Sequence, residues 1–127
     1  MTRRTSIYVE GFGHKNPIPA AARIGNLVAS GIIYGLDVAT GKPAATLPEQ
    51  ARLMFQHLRT IVEAAGGSVD DILKLNLWMV DRSQREAVNA EWLAMFPDAA
   101  ARPARQAMQA ELGPGILVQC DFLAVLP

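Results

Sequence analysis

Only one cysteine, Cys120, occurs in the 127 residues, which excludes an intrachain disulfide and fits a reducing compartment. Histidine is almost as scarce. His14 and His57, with that cysteine, offer no paired ligand spacing, so no metal site is expected. Neither charge is in surplus, since 12 Lys and Arg stand against 12 Asp and Glu. That balance argues against nucleic acid and anionic lipid as partners, because both need a basic field. No apolar run approaches the length that spans a bilayer, so no membrane partner is expected. Arg3 and Arg4 are followed by Glu10 rather than by the apolar core of a secretory signal. The expected address is the cytoplasm, and the expected partners are small molecules and further copies of the chain. Gly11-Phe12-Gly13 lacks the third glycine and the strand-to-helix setting of a dinucleotide fingerprint, and no P-loop lysine is present.

Half of the residues are apolar, enough for one domain over 1–127 to bury a core without staples. Ser6–Glu10 reads as a short strand, followed by a Gly/Pro loop to Ala20. Arg23–Ser30 reads as a strand with a turn or bulge at Gly25-Asn26, and Ile32-Ile33-Tyr34 continues it or begins another. Asp37–Gly41 is a turn. Thr46-Leu47-Pro48-Glu49 has the spacing of a capping box, and the apolar positions from Ala51 to Ala65 recur at three and four, predicting a helix that ends at Gly66-Gly67. Ile72–Val80 alternates, with Leu73, Leu75, Leu77 and Met79 on one face and Ile72, Lys74, Asn76, Trp78 and Val80 on the other. A strand reached through a helix is expected to run parallel to an earlier one.

A second helix is expected from Ser83, which with Glu86 has capping-box spacing, through a stripe of Val88, Trp92, Met95 and Phe96 to Pro97. A strand over the Arg102–Ala110 stretch, a hairpin turn at Gly113-Pro114-Gly115 and a strand from Ile116 to Leu126 close the chain. The order gives an α/β (α+β) fold with two helices on one face of a mixed sheet. The other face carries Trp78, Val80 and outer positions of the last strand, which favours cover by a closed homo-oligomer over solvent.

The chemistry concentrates late in the chain. In Arg102-Pro103-Ala104-Arg105-Gln106-Ala107 a permanent charge stands among small and apolar neighbours, where an unpaired guanidinium is costly. Arg105 is either a carboxylate receptor or a structural arginine that snorkels at a subunit interface, satisfied by Asp121. In the first case Asp121 handles a water or a proton. Ser30-Gly31 lacks the form of a nucleophile elbow, so Ser30 reads as a hydrogen-bonding serine. Cys120 reads as a core thiol and His57 as a boundary side chain of the first helix, while His14 in the proline-rich loop is open to a cleft role.

In order and spacing, RIGNLVASG, DVATGK, EQARLMFQHLRTIVEAAGGSVDDILKLNLWMVD, VNAEWLAMFP, RPARQAMQAEL and LVQCDFLAV resemble the RidA (YjgF-type) enamine/imine deaminase family over about Ala20 to Val125. The resemblance implies a chorismate-mutase-like fold with a six-stranded sheet, a homotrimer with clefts between subunits, and hydrolysis of imines of 2-oxo acids without a cofactor. It places the carboxylate-binding arginine on Arg105, the strand-ending serine on Ser30 and the helix-two asparagine on Asn89. The family's last-strand acid, usually glutamate and associated with the catalytic water, falls on Asp121, and main-chain groups near Ala107 are implied to position the substrate nitrogen. The family's loop tyrosine is absent: Asn16-Pro17-Ile18-Pro19-Ala20 puts Ile18 there, with His14 and Tyr34 as candidates to fill the space. A non-catalytic carboxylate-binding or holdase-like trimer is the alternative reading. Ribonuclease activity, a label the family sometimes carries, is disfavoured by the charge balance.

Overall fold

Strand alternation and two amphipathic helices organise the chain around one mixed sheet. The computed structural model describes residues 3–127. β1 (Arg4–Ile7), β2 (Ala21–Ile24) and β3 (Leu27–Ser30) form an antiparallel meander. The first strand starts earlier than Ser6 and ends at Ile7, because Tyr8 to Ala20 leave the sheet as a loop. The turn offered at Gly25-Asn26 is present, and it divides the strand expected over Arg23–Ser30 into the two arms of a hairpin. Gly25 takes φ +59°, a conformation open to a residue without Cβ, and reverses the chain with Asn26. β4 (Ile33–Tyr34) rejoins the sheet, while β5 (Leu36–Asp37) and β6 (Lys42–Pro43) make a separate ribbon around the expected turn.

α1 (Leu47–Ala64) starts as the sequence predicts, with Thr46 Oγ1 accepting from the Glu49 N–H and Pro48 in the first turn. The reciprocal half of the capping box is not made; Glu49 turns to Arg52 at 3.0 Å. Ala51, Met54, Phe55, Leu58, Ile61 and Val62 are buried. His57 is not a boundary residue but lies inside, 9 % exposed, with Nε2 2.8 Å from the Leu36 carbonyl and its ring against Phe12. The helix ends at Ala65, whose carbonyl accepts from Arg23 Nη1 at 2.9 Å, before Gly66 at φ +98°.

β7 (Ile72–Met79) lies between its two sheet neighbours, β8 (Ala104–Gln109) and β9 (Val118–Val125). A bulge between Ile72 and Lys74 shifts the phase of its first turn, so Ile72 is buried and Leu73 exposed, the reverse of strict alternation. The sheet order is β1-β2-β3-β9-β7-β8, with β4 beside β9. β7 runs in the same direction as β3, as expected, but β9 lies between them; its bonded parallel neighbour is the later β8, reached through α2 (Glu86–Met95). Gly113-Pro114-Gly115 does turn the chain, the Ile116 N–H donating to the Gly113 carbonyl. It is not a hairpin turn, however, because the strands on either side of it flank β7.

The second capping box is absent. Ser83 gives both its N–H and its hydroxyl to Asp81 Oδ1, at 3.0 and 2.7 Å, and the helix starts after Arg85, which makes no side-chain cap. Val88, Trp92 and Phe96 are buried as predicted, and Arg102 donates to the Phe96 and Pro97 carbonyls past the helix end. Both helices cover one face of the sheet, over Val28, Ile33, Leu75, Leu77, Cys120, Phe122 and Ala124. On the other face the register lines up Ile24, Leu27 and Val125, with Leu123 nearby, all at least 37 % exposed. No described helix is long and apolar enough to cross a membrane.

Candidate active site

Arg105 is in register with Leu75, and Leu75 with Phe122, both buried beneath the helices. Alternation therefore turns Arg105 toward the helix-covered face. There its guanidinium lies 4.9 Å from the centre of the Trp92 ring, and Nη2 donates to Asn89 Oδ1 at 2.8 Å. Asn89 and Trp92 are three residues apart on α2 and share one helix face. The other terminal nitrogen, Nη1, is buried and has no partner. Among the described residues no carboxylate lies within ion-pair distance of Arg105. Burial pushes its pKa down from the usual arginine value, and the charge of Arg85 adds to that. A partly desolvated cation with an unused N–H has the chemistry of an anion receptor.

Asp121 stands elsewhere. It is in register with Asn76, on the face of the sheet opposite Leu75, and so points away from Arg105. Its carboxylate accepts from Asn76 Nδ2 and from Trp78 Nε1, both at 2.9 Å. Asn76 Oδ1 is itself buried without a partner. Within one chain Asp121 does not satisfy Arg105: a neutral amide and an indole hold the arginine, and an amide and an indole hold the aspartate.

The remaining candidates divide in the same way. Asn89 is on Arg105. Ala107 is two residues on from Arg105, on the same face of β8, the edge strand of the sheet. Since the Ala110 N–H reaches back to the Met79 carbonyl, alternation turns the main chain of Ala107 toward the free edge. Ser30 donates to the Gly31 carbonyl at 2.8 Å and accepts the Phe122 N–H at 2.9 Å, bridging the point where β3 parts from β9. His14 and Ile18 line a hollow of about 420 Å³ in the loop between β1 and β2. His14 Nδ1 accepts the Asn16 N–H, and Tyr34 lies beside this hollow with its ring 5.6 Å from Phe12. Three strand spacings, about 14 Å, separate Ser30 on β3 and Tyr34 on β4 from β8, and Asp121 faces the opposite side of the sheet from Arg105. One chain therefore does not assemble these residues into one cleft.

Three contributors were not singled out from sequence. Trp92 was placed in the buried stripe, with no signal that it also carries the arginine. Asn76 and Trp78 were read as outward positions of a strand; their spacing of two was the available sign that both could grip one neighbour on β9. Cys120 is a buried thiol whose pKa is pushed up by burial and by nearby Asp121, in keeping with a core role. Among the described residues no cluster of His, Cys, Asp and Glu is placed to hold a metal ion.

A family profile described as Endoribonuclease L-PSP matches residues 7–126. The chain belongs to this family, the RidA (YjgF-type) family. This RidA-family chain is 31 % identical to the 2-iminobutanoate/2-iminopropanoate deaminase of Salmonella typhimurium over 111 residues, 86 % of this chain and 87 % of the relative. The Escherichia coli protein of the same name is 30 % identical over the same shares. Among solved structures, RidA from an Antarctic Psychrobacter superposes with a TM-score of 0.87 at 27 % identity, covering 96 % of this chain and 99 % of that one. E. coli TdcF with bound serine gives 0.87 at 25 % identity, covering 97 % and 99 %.

Proposed function

We propose that this protein hydrolyses enamine or imine intermediates of 2-oxo acids to the ketoacid and ammonia, in a cleft between two protomers of a homotrimer. The observation that carries the reading is the buried, unpartnered Nη1 of Arg105, held by Asn89 and Trp92 with no carboxylate near it. The names of the relatives supply the reaction class, and the serine on TdcF is a small carboxylate with nitrogen on its α-carbon, as the imine would be.

The topology supports a site shared by two protomers. Arg105, Asn89 and Ala107 lie at the β8 edge under α2, while Asp121 lies on the open face and the loop of His14 and Ile18 packs through Phe12 against His57 of α1 and Tyr34 of β4. A site containing both sets requires the β8 edge of one copy against the open face of the next. The exposed Ile24, Leu27, Leu123 and Val125 give that face an apolar surface to bury.

In this cleft Arg105 takes the substrate carboxylate bidentately, using the N–H that no protein group uses. The fixed orientation supplies most of the rate. The enamine tautomerises to the imine, which takes up a proton from solvent to become the iminium, and a water adds to the carbon that bears nitrogen. Its proton passes to the leaving nitrogen, the C–N bond breaks, and ammonia departs as the C=O forms. Asp121, one methylene shorter than the family's usual glutamate, orders or deprotonates that water, and outward main-chain groups at Ala107 position the nitrogen. Ile18 gives the opposite wall an apolar side chain in place of a phenol.

The test is ammonia release from imines generated in the assay by an amino-acid oxidase. Purified protein should accelerate it and Arg105→Ala should not; identical behaviour of the two would remove the reading. The occupation of both Asp121 oxygens by its own chain favours a second reading, a trimer that binds small carboxylates without turnover. Equal binding of 2-oxobutanoate by wild type and Asp121→Asn, with no turnover by either, would select it.

A further inference from the structure

A second cation lies one helical turn from the residue that holds the carboxylate anchor. Arg85 sits at the N-terminal boundary of α2, and its carbonyl accepts the Asn89 N–H at 2.8 Å, so the two residues lie one turn apart on one helix face. Asn89 in turn holds Arg105. Arg85 uses Nε to donate to the Arg82 carbonyl at 2.7 Å, and its terminal nitrogens meet no acceptor among the described residues. The adjoining loop is tied down. The Arg82 N–H donates to Gln109 Oε1 at 3.2 Å, and Asp81 holds Ser83, so the root of Arg85 is fixed. Glu86 is next to Arg85 in sequence, but neighbours in a helix do not face one another, and no bond joins them.

Arg85 and Arg105 thus flank Asn89, one from the preceding turn of α2 and the other on its side chain, and among the described residues neither makes an ion pair with a carboxylate. A monocarboxylate on Arg105 would neutralise one of them. A ligand with a second acidic group would neutralise both. Arg85 is rooted about 6 Å along the helix axis from Asn89, so the two cations address two separate groups better than a single charged centre. We propose that Arg85 is a specificity-determining residue that binds a second acidic group, making imines of four- or five-carbon dicarboxylic 2-oxo acids the preferred substrates. This rests on the deaminase reading and on Arg105 as the anchor.

Succinate and butyrate are unreactive probes of equal chain length, suited to calorimetric titration of the full-length protein. Wild type should bind succinate at least about tenfold more tightly than butyrate. Arg85→Gln should abolish that preference while leaving butyrate within about twofold, and Arg105→Ala should lose both ligands. Inorganic phosphate, whose charges share one centre, should compete at least about tenfold more weakly than succinate. Wild-type protein without the preference, an Arg85→Gln variant that keeps it, equal weakening of both ligands, or phosphate competing as well as succinate would each overturn the proposal. Loss of binding in Arg105→Ala without a dicarboxylate preference would refute only the role of Arg85. Unchanged binding in Arg105→Ala would refute the anchor, and with it the deaminase reading. As a readout of turnover, the ratio of kcat/KM for the imine of aspartate to that of 2-aminobutyrate should fall about tenfold in Arg85→Gln.

Discussion

Replacing Asp121 by asparagine separates a structural role from a chemical one. The carboxylate accepts two N–H bonds, from Asn76 and Trp78, each 2.9 Å long. An amide of the same shape keeps one oxygen and presents an NH2 to the other donor. One charge-assisted bond, worth about 1.5–3 kcal/mol, is lost, and the other becomes an ordinary bond worth about 1. Because the site is part-exposed, water recovers a share, leaving a loss of about 2 kcal/mol. In a domain of this size that corresponds to a fall in Tm of about 6–8 °C. Thermal and urea unfolding would measure it, with Trp78→Phe and the double variant completing a cycle whose coupling should be about 1 kcal/mol. A coupling near zero would refute the clamp. The variant should remain folded at 25 °C, and there its imine turnover should fall by more than about tenfold if Asp121 also handles the water. Unchanged turnover would confine Asp121 to its structural role.

The other predictions concern the frame that holds the site. A Cβ on Gly35 would overlap the Cα and carbonyl of Gln50 on α1, so Gly35→Ala should destabilise by more than about 3 kcal/mol, read as a lower urea midpoint or loss of soluble protein. Arg23→Met removes the donor to the Ala65 carbonyl at the end of α1 and should cost about 1–2 kcal/mol, while leaving imine turnover at 25 °C unchanged. Burial raises the Cys120 thiol pKa, so the unfolded chain releases that proton first. The associated stability is therefore complete below the unfolded value of about 8.5 and declines as pH rises above it. Cys120→Ala should flatten the fall in unfolding free energy between about pH 8.5 and 10. The wild-type thiol should react with thiol reagents only as fast as the protein opens.

The fold was legible wherever a local pattern had one physical solution. α1 followed from its cap and its stripe, and β7 and β9 from apolar alternation. The departures have specific causes. Gly25 at positive φ split one apparent strand into a hairpin, and a bulge reversed Ile72 and Leu73. Ser83 found a closer partner in Asp81 than in the helix that follows it. That β9 would insert between β3 and β7 depends on long-range pairing, which no local window contains. Within the site, Arg105 stood out because a guanidinium among small residues lacks an obvious partner, and Asn89 followed from the family pattern. Trp92 could not be distinguished from an ordinary core residue, since its buried position and its contact with the arginine share one helical spacing. The placement of Arg105 and Asp121 on opposite faces required the register of three strands: Arg105 with Leu75 and Phe122, and Asn76 with Asp121.

A crystal structure of the assembled protein soaked with 2-oxobutanoate would test the carboxylate anchor most directly. The account predicts the carboxylate within about 3 Å of Arg105 Nη1, in a cleft whose opposite wall, with Asp121 and Ile18, comes from a neighbouring protomer. Nη1 already bonded to a carboxylate of a neighbouring copy, or the ketoacid bound away from Arg105, would contradict it.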